Sequence, residues 1–185
     1  KPHKLRSPAP GFAEHDPIED WWEALKATVQ ELLAQSGVSA GQIAAVGIST
    51  IMAAITPVDA HCAPLRNAIL YGIDARAEAE AAWLTEHYGA ERVQQLFGHP
   101  ICSGDTATKI LWIKNNEPEV YRRTHKFLTG SSFLTARLTG RYVIDQFLAK
   151  GSFRPLYNSD GSKNEAECSL FCRPDQIADC AVSTD

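Results

Sequence analysis

Three short stretches of this chain gather the residue types that a hydroxyl-rich ligand needs. In "GISTIM", Gly47 to Met52, an apolar run ends in Ser49 and Thr50 just before the pair Met52 and Ala53. In "AILYGIDARAEAE", residues 68–80, a second apolar run passes through Tyr71 and Gly72 into Asp74 and Arg76. In "RYVID" a third ends on Asp145, with Gln146 following. An aromatic or thioether wall packs on C–H faces, while Asp, Gln and Arg side chains satisfy hydroxyls in fixed directions. Met52, Tyr71, Asp74, Arg76, Asp145 and Gln146 are therefore candidate binding residues for a small sugar or polyol. Each follows an apolar run of strand type, and α/β sheets hold ligands beyond the carboxyl ends of their strands. A phosphate ligand would demand more cations. Spacing alone gives equal weight to plainer roles, with Asp74 capping the next helix, Arg76 pairing with Glu80, and Asp145 ending a strand.

Other chemistries find no foothold. The sequence has no GxxxxGK[ST], GxGxxG, GxSxG or HExxH motif. Its five cysteines are odd in number and irregularly spaced, and Cys168, Cys172 and Cys180 form no CxxC pair, so reduced thiols and no metal site are expected. The net charge is −4 and the Lys and Arg residues are scattered, which argues against nucleic acid. No apolar run approaches the roughly 18 residues that span a bilayer, and KPHKLRSPAP at the start is not of signal-peptide type. A cytoplasmic protein without membrane contact is the expectation. The one methionine is Met52 and the chain opens on Lys1, which sets the further expectation of a piece of something longer.

The 185 residues, 44% hydrophobic, suffice for one globular core. Asp16 as cap, Pro17 at the first helical position and Glu19 three residues after the cap predict a helix closed by Gly37, with Ile18, Trp21, Trp22, Leu25, Val29, Leu32 and Leu33 on one stripe. Strands are expected in "QIAAVGI", "MAAITPV", "NAIL", "KFLT" and "RYVID". Helices are expected over 74–88, closing at Gly89, over 90–97, over 106–116, after Pro118, and in "SFLTARLTG" capped by Ser131 or Ser132. The tail, 157–185, reads as a polar loop and a short helix pair interrupted by Pro174. Alternating strands and helices indicate an α/β layer architecture.

The order and spacing of "PGFAEHDPIEDWWEAL", "IAAVGIST" with Met52 after it, "APLRNAILYGIDARA", the run from Gly98 through "TATKILWIKNNEPEVYRRTHKFLTG" to Asp145, and "PLYN" resemble the FGGY family of carbohydrate kinases, in particular its xylulokinase-like branch. The resemblance covers nearly the whole chain. It implies an RNase H-like α/β lobe of the actin-like ATPase superfamily, with residues 1–185 a partial N-terminal sugar-binding domain that lacks its first strands. It also implies that the parent transfers the γ-phosphoryl of ATP to a hydroxyl of a small ketose or polyol. ATP and Mg²⁺ would be bound mainly by parts absent from this chain, and the general-base aspartate would lie downstream, so no catalytic residue is assigned here. Met52 and Ala53 match a sugar-contacting pair that is Met-His in xylulokinases, and Ala53 lacks that imidazole, which argues against xylulose itself. Tyr71, Asp74 and Arg76 match a Trp-Asn-Asp-x-Arg type of run, and Gln146 falls where glycerol kinases have a substrate-facing tyrosine. Implied partners are the sugar and the C-terminal lobe of the same polypeptide, with a homodimer as a further option. The alternative is a sugar-sensing or scaffolding relative without transfer activity.

Overall fold

The computed structural model describes residues 2–182, so residues 183–185 of the expected tail lie outside the described residues. Its first helical element starts as the spacing predicts. Asp16 Oδ1 accepts the backbone N–H groups of Ile18 (2.8 Å) and Glu19 (3.1 Å), and Pro17 opens a π-helical turn, Pro17–Trp22, that runs into α1, Glu23–Ser36. The return bond of the cap differs from expectation. It comes from Asp20, whose carboxylate accepts the Asp16 N–H (2.8 Å), because the wide π turn brings residue 20 beneath the cap, while Glu19 reaches out to Arg6 (2.6 Å). Gly37 closes α1 at φ 67°, a left-handed conformation that costs glycine little.

Sheet pairing is short and mixed. Strands β1 (Glu14–His15) and β3 (Ala68–Ile69) are antiparallel, as are β2 (Thr56–Val58) and β4 (Lys126–Leu128), whereas β5 (Val143–Asp145) runs parallel to β6 (Asp179–Ala181). Single bridges, Ile55 to Ile69 and Phe127 to Ile177, join these ladders into one interrupted sheet of order β1, β3, β2, β4, β6, β5. The expected strand over 42–48 does not form. Among the described residues no ladder partner reaches it, and Val46 is 60% exposed. An apolar run supplies a strand's face; only a neighbour's N–H and C=O groups make it a strand. Strand β6 forms where the second helix of the pair around Pro174 was expected, which shrinks to a single turn at Pro174–Gln176, since three residues of strand carry no period of their own.

The helices follow the sequence more closely. Helix α2, Glu78–Leu96, breaks at Gly89 (φ 71°, ψ 161°), where the first of two helices was expected to close. It starts four residues later than expected, because the Asp74 side chain is engaged elsewhere and the N-cap is Ala77. Helices α3 (Thr106–Asn116) and α4 (Pro118–Arg123) stand as predicted, with Ile110, Leu111 and Ile113 buried. Helix α5, Gly130–Thr139, is capped by Thr129, whose Oγ1 accepts the Ser132 N–H at 3.1 Å, and not by either serine. Helices α6 (Gln146–Lys150) and α7 (Glu165–Phe171) complete the set, and one core unites Leu84, Ile110, Phe127, Phe133, Phe153 and Phe171. No helix among the described residues is long and apolar enough to cross a membrane.

The predicted stripe of α1 is only half used. Trp21 is buried, its indole N–H donating to His15 Nδ1 (3.3 Å) and its ring edge-on to Phe133, whereas Leu32 is 59% exposed. In urea unfolding of this chain, Trp21→Ala is expected to lower stability by about 3 kcal/mol and Leu32→Ala by less than about 0.5 kcal/mol. Comparable losses at the two positions would mean that the outer half of α1 is covered after all.

Candidate functional site

Backbone register brings the chemistry-bearing loops to one end of the sheet. The Ile55 N–H donates to the Ile69 carbonyl (2.9 Å) and the Ile69 N–H to the Ile55 carbonyl (3.0 Å), so the turn at Ala53 and the turn at Tyr71 flank this bridge at the same end. On the other side, β2 and β4 pair as far as Thr56 with Leu128, and the chain then turns through Thr129 into α5 at the end from which Ala53 and Ala54 lead in. Packing agrees, because a Cβ on Gly130 would stand 2.9 Å from Thr50 Oγ1. The parallel steps from Phe127 to Ile177 and from Ala181 to Asp145 put Asp145 at that same end. Met52, Ala53, Tyr71, Asp145 and Gln146 therefore share one edge of the fold.

Their surroundings differ. Met52 and Tyr71 are exposed, at 40% and 43%, whereas Ala53 is buried and holds a positive φ of 57°, a conformation costly for alanine that is kept only where the surroundings enforce it. Asp145 does more than end a strand, since its Oδ1 accepts the Leu148 N–H (3.0 Å) and caps α6, which begins with the half-buried Gln146. A cleft of about 420 Å³ runs alongside, lined by Gly47, Ile48, Ser131, Ser132, Thr135 and Asp145 among others; Met52 and Tyr71 stand outside it.

Asp74 and Arg76 lie behind the Tyr71 turn, their side chains without solvent contact. Asp74 Oδ2 accepts the Ala13 N–H (2.6 Å) and Arg76 Nη2 (2.8 Å), and Oδ1 accepts Arg76 Nε (2.9 Å) and the Arg76 backbone N–H (3.1 Å). Arg76 Nη2 also donates to Glu14 (2.8 Å), which accepts from Arg66 in turn, and Arg66 reaches Glu117 (2.8 Å). The Arg76 guanidinium lies over the Phe12 ring (4.0 Å) and near that of Trp112 (5.0 Å). Neither plain role offered by spacing is realised: Asp74 caps no helix, and Glu80 accepts from Asn115 and Asn116 instead of Arg76. The pair ties the turn after β3 to the start of β1 and to α3, so it fixes where Tyr71 points.

Sequence reasoning missed Lys109. This residue sits in the middle of α3 with no solvent exposure, its ammonium donating to the Gly104 carbonyl (2.9 Å) and lying 5.6 Å from the centroid of the Tyr71 ring. Burial pushes its pKa down from 10.5 to about 8, against the pull of Asp74 and Asp105. Keeping it charged at pH 7 then costs about 3 kcal/mol of folding free energy. The signal was present: a lysine on the buried side of a helix whose next turn is Ile110 and Ile113 is a charge placed where a core residue belongs. Glu14 and Arg66 gave no comparable signal, because their partners are distant in sequence.

The geometry has counterparts among known proteins. A family model for the N-terminal domain of the FGGY family of carbohydrate kinases matches residues 1–158. The chain is 34% identical over 145 residues to a xylulose kinase of Escherichia coli, covering 78% of this chain and 29% of that protein. It is 36% identical over 158 residues to a glycerol kinase of Methylibium petroleiphilum, covering 83% and 31%. A solved xylulose kinase from Rhodospirillum rubrum superimposes with a TM-score of 0.84 at 26% identity, over 98% of this chain and 37% of that one. The chain thus spans about a third of the length of these relatives. Its α/β fold is that of the N-terminal part of such kinases, of the RNase H-like, actin-like ATPase class.

Arg76→Met leaves Asp74 charged in the interior without its guanidinium and Glu14 with Arg66 as its remaining cation, so it is expected to lower stability by about 3 to 5 kcal/mol in denaturant unfolding. The exposed pair of Arg122 and Glu119 is the control, and Arg122→Ala is expected to leave the midpoint in place. A loss of under about 1 kcal/mol for Arg76→Met would show that the network does not hold the turn.

Proposed function

The chain belongs to the FGGY family of carbohydrate kinases, and we propose that it supplies the acceptor-sugar half of an ATP-dependent kinase acting on a small ketose or polyol. The observation that supports this reading is that the Met52 and Ala53 loop, Tyr71, and the pair Asp145 and Gln146 all lie at the same end of the strands. The exposed Tyr71 ring and Met52 thioether give C–H faces a wall, and the Gln146 amide and the free oxygen of the Asp145 carboxylate give hydroxyls a direction. Asp74 and Arg76 serve this site from behind, by fixing the turn that carries Tyr71.

Phosphoryl transfer needs the acceptor hydroxyl held in line with the γ-phosphate, a base beside it, and metal to neutralise the developing charge. This chain's residues fit the first requirement and not the others. Asp74 is consumed by Arg76, one oxygen of Asp145 caps α6, and among the described residues no group of three His, Cys, Asp or Glu side chains could hold a metal ion. The family resemblance is what assigns ATP with Mg²⁺ and the general-base aspartate to the remainder of the full-length protein and its C-terminal lobe. Ala53 is buried and brings no hydrogen-bonding side chain, which favours a ketose or polyol other than xylulose. The same feature supports a second reading, a sugar-sensing or scaffolding relative that binds without transfer.

ADP formation by the full-length protein, assayed against a panel of pentuloses, hexuloses and polyols, is expected to show turnover with at least one. Calorimetric binding without turnover would select the second reading, and neither binding nor turnover would overturn both. With a substrate in hand, Tyr71→Ala is expected to weaken sugar affinity about tenfold, whereas Tyr71→Phe keeps the wall and most of the affinity. Equal effects of the two substitutions would contradict the role given to the ring.

A further inference from the structure

We propose that Lys109 is a positioning residue of the sugar site: its ammonium, sealed behind Tyr71, locks that ring and the turn over residues 102–105 into one wall, and its charge sets the alkaline limit of sugar binding. The proposal rests on the sugar-site reading above.

An ammonium carries three donors, and at zero exposure Lys109 gives one to the Gly104 carbonyl. Such a group is costly to keep and would be replaced by methionine or leucine if packing were its only task. Its place explains it. Tyr71 lies within the reach of a cation–π attraction, and a Cβ on Gly104 would stand 3.9 Å from the Tyr71 ring and 3.3 Å from Cys102 Sγ, so ring, turn and ammonium share one spot. The turn is itself rigid. The Cys102 N–H donates to Asp105 Oδ2 (2.9 Å), the Asp105 N–H to the Cys102 carbonyl (3.1 Å), and the Thr108 hydroxyl to the Asp105 carbonyl (2.7 Å). Ser103 Oγ donates to the Asp74 carbonyl (3.3 Å), which ties this turn to the one that carries Tyr71. Two segments distant in sequence thus meet at a single ammonium.

The charged groups around Lys109 come from both turns: Asp74 and Arg76 after β3, and Cys102 and Asp105 before α3. Burial dominates and Arg76 adds to it, while Asp74, Asp105 and Cys102 oppose, with the balance at about 8. Below that pH the ammonium is charged and attracts the ring face and the carboxylates. Above it the amine is neutral, the attraction to the ring is lost, and Tyr71 is freed. Global stability moves the other way. Between about 8 and 10.5 the unfolded chain binds the proton that the folded chain has released, so Lys109 adds to stability as pH rises. A loss of sugar affinity over that range is therefore not an unfolding effect of this group.

The test uses the full-length protein, with xylulose and glycerol as probes. First, in the unliganded protein, NMR of labelled lysine and tyrosine side chains is followed from about pH 6.5 to about pH 10, with Lys109→Met identifying the lysine signal. One lysine is expected to titrate near pH 8, with the Tyr71 ring resonances moving at the same midpoint. Tyr71 signals that stay still through that midpoint overturn the proposal, whatever the sugar results. Second, sugar affinity is measured against pH. The wild type is expected to weaken about three- to tenfold between pH 7 and pH 9.5. Lys109→Met is expected to be weak already at pH 7 and flat above it, and Lys109→Arg to recover affinity at pH 7 and hold it past pH 9. Wild-type affinity and profile in Lys109→Met would also overturn the proposal. If Lys109→Met fails to fold, the NMR titration of the wild type, with the lysine assigned through its contact to the Tyr71 ring, decides. If no protein binds either probe at any pH, the sugar-site reading is decided by the panel of pentuloses, hexuloses and polyols, and the NMR result alone decides the coupling of Lys109 to Tyr71.

Discussion

A guanidinium enclosed by carboxylates and aromatic faces, Arg76 against Asp74, Glu14, Phe12 and Trp112, is the constraint on which the site depends. Buried charges are costly unless their donors and acceptors find partners, and the Ala13 N–H, Arg66 and Glu117 supply most of them here, with Arg76 Nη1 and Glu117 Oε2 left without a hydrogen bond. The arrangement specifies one position for the turn after β3. A shift of that turn would break a bidentate pair in a region with no water to replace it. The exposed part of the loop, Tyr71 to Ile73, is therefore held from below by Asp74 and Arg76, whose side chains have no solvent contact.

The same economy recurs along the sheet end. The backbone of Ala53 takes a left-handed conformation between two paired segments, Gly130 leaves room for Thr50, and Asp145 uses one carboxylate oxygen to start α6. What remains outward is a sparse set: a thioether, a phenol ring, an amide and one carboxylate oxygen. That set is weakly charged, which suits a neutral polyol and would suit a nucleotide poorly. The proposed function would divide the labour accordingly, giving the acceptor to this half and the phosphates and metal to the other.

Local signals in the sequence led to the right local structure. Pro118, the glycines at 37 and 89, and the apolar spacing of Ile110 and Ile113 each act within one or two helical turns, and the helices they bound appear where expected. Interactions at long range did not announce themselves. The run at 42–48 has the composition of a strand, but pairing is a property of two segments and its partner is not among the described residues. Asp74 and Arg76 look like a helix cap and an i,i+4 pair because those are the partners a sequence displays; Glu14 and Ala13, some sixty positions away, are the ones the fold supplies. Thr129 takes the cap of α5 because β4 ends at Leu128 and the helix begins at Gly130, two residues before a Ser131 cap would start it. The candidate loops themselves were legible, as polar residues following apolar runs, and so was the family, through the order of its motifs.

The central claim is that a neutral sugar rests on the sheet end between Met52, Tyr71 and Gln146. Intermolecular nuclear Overhauser effects from a bound pentulose in the full-length protein test it most directly. Contacts are expected from the sugar C–H protons to the Tyr71 ring and the Met52 methyl, with the Gln146 amide nearby. Contacts confined to the neighbouring cleft, at Thr135 and Arg141, or to another part of the surface would contradict it.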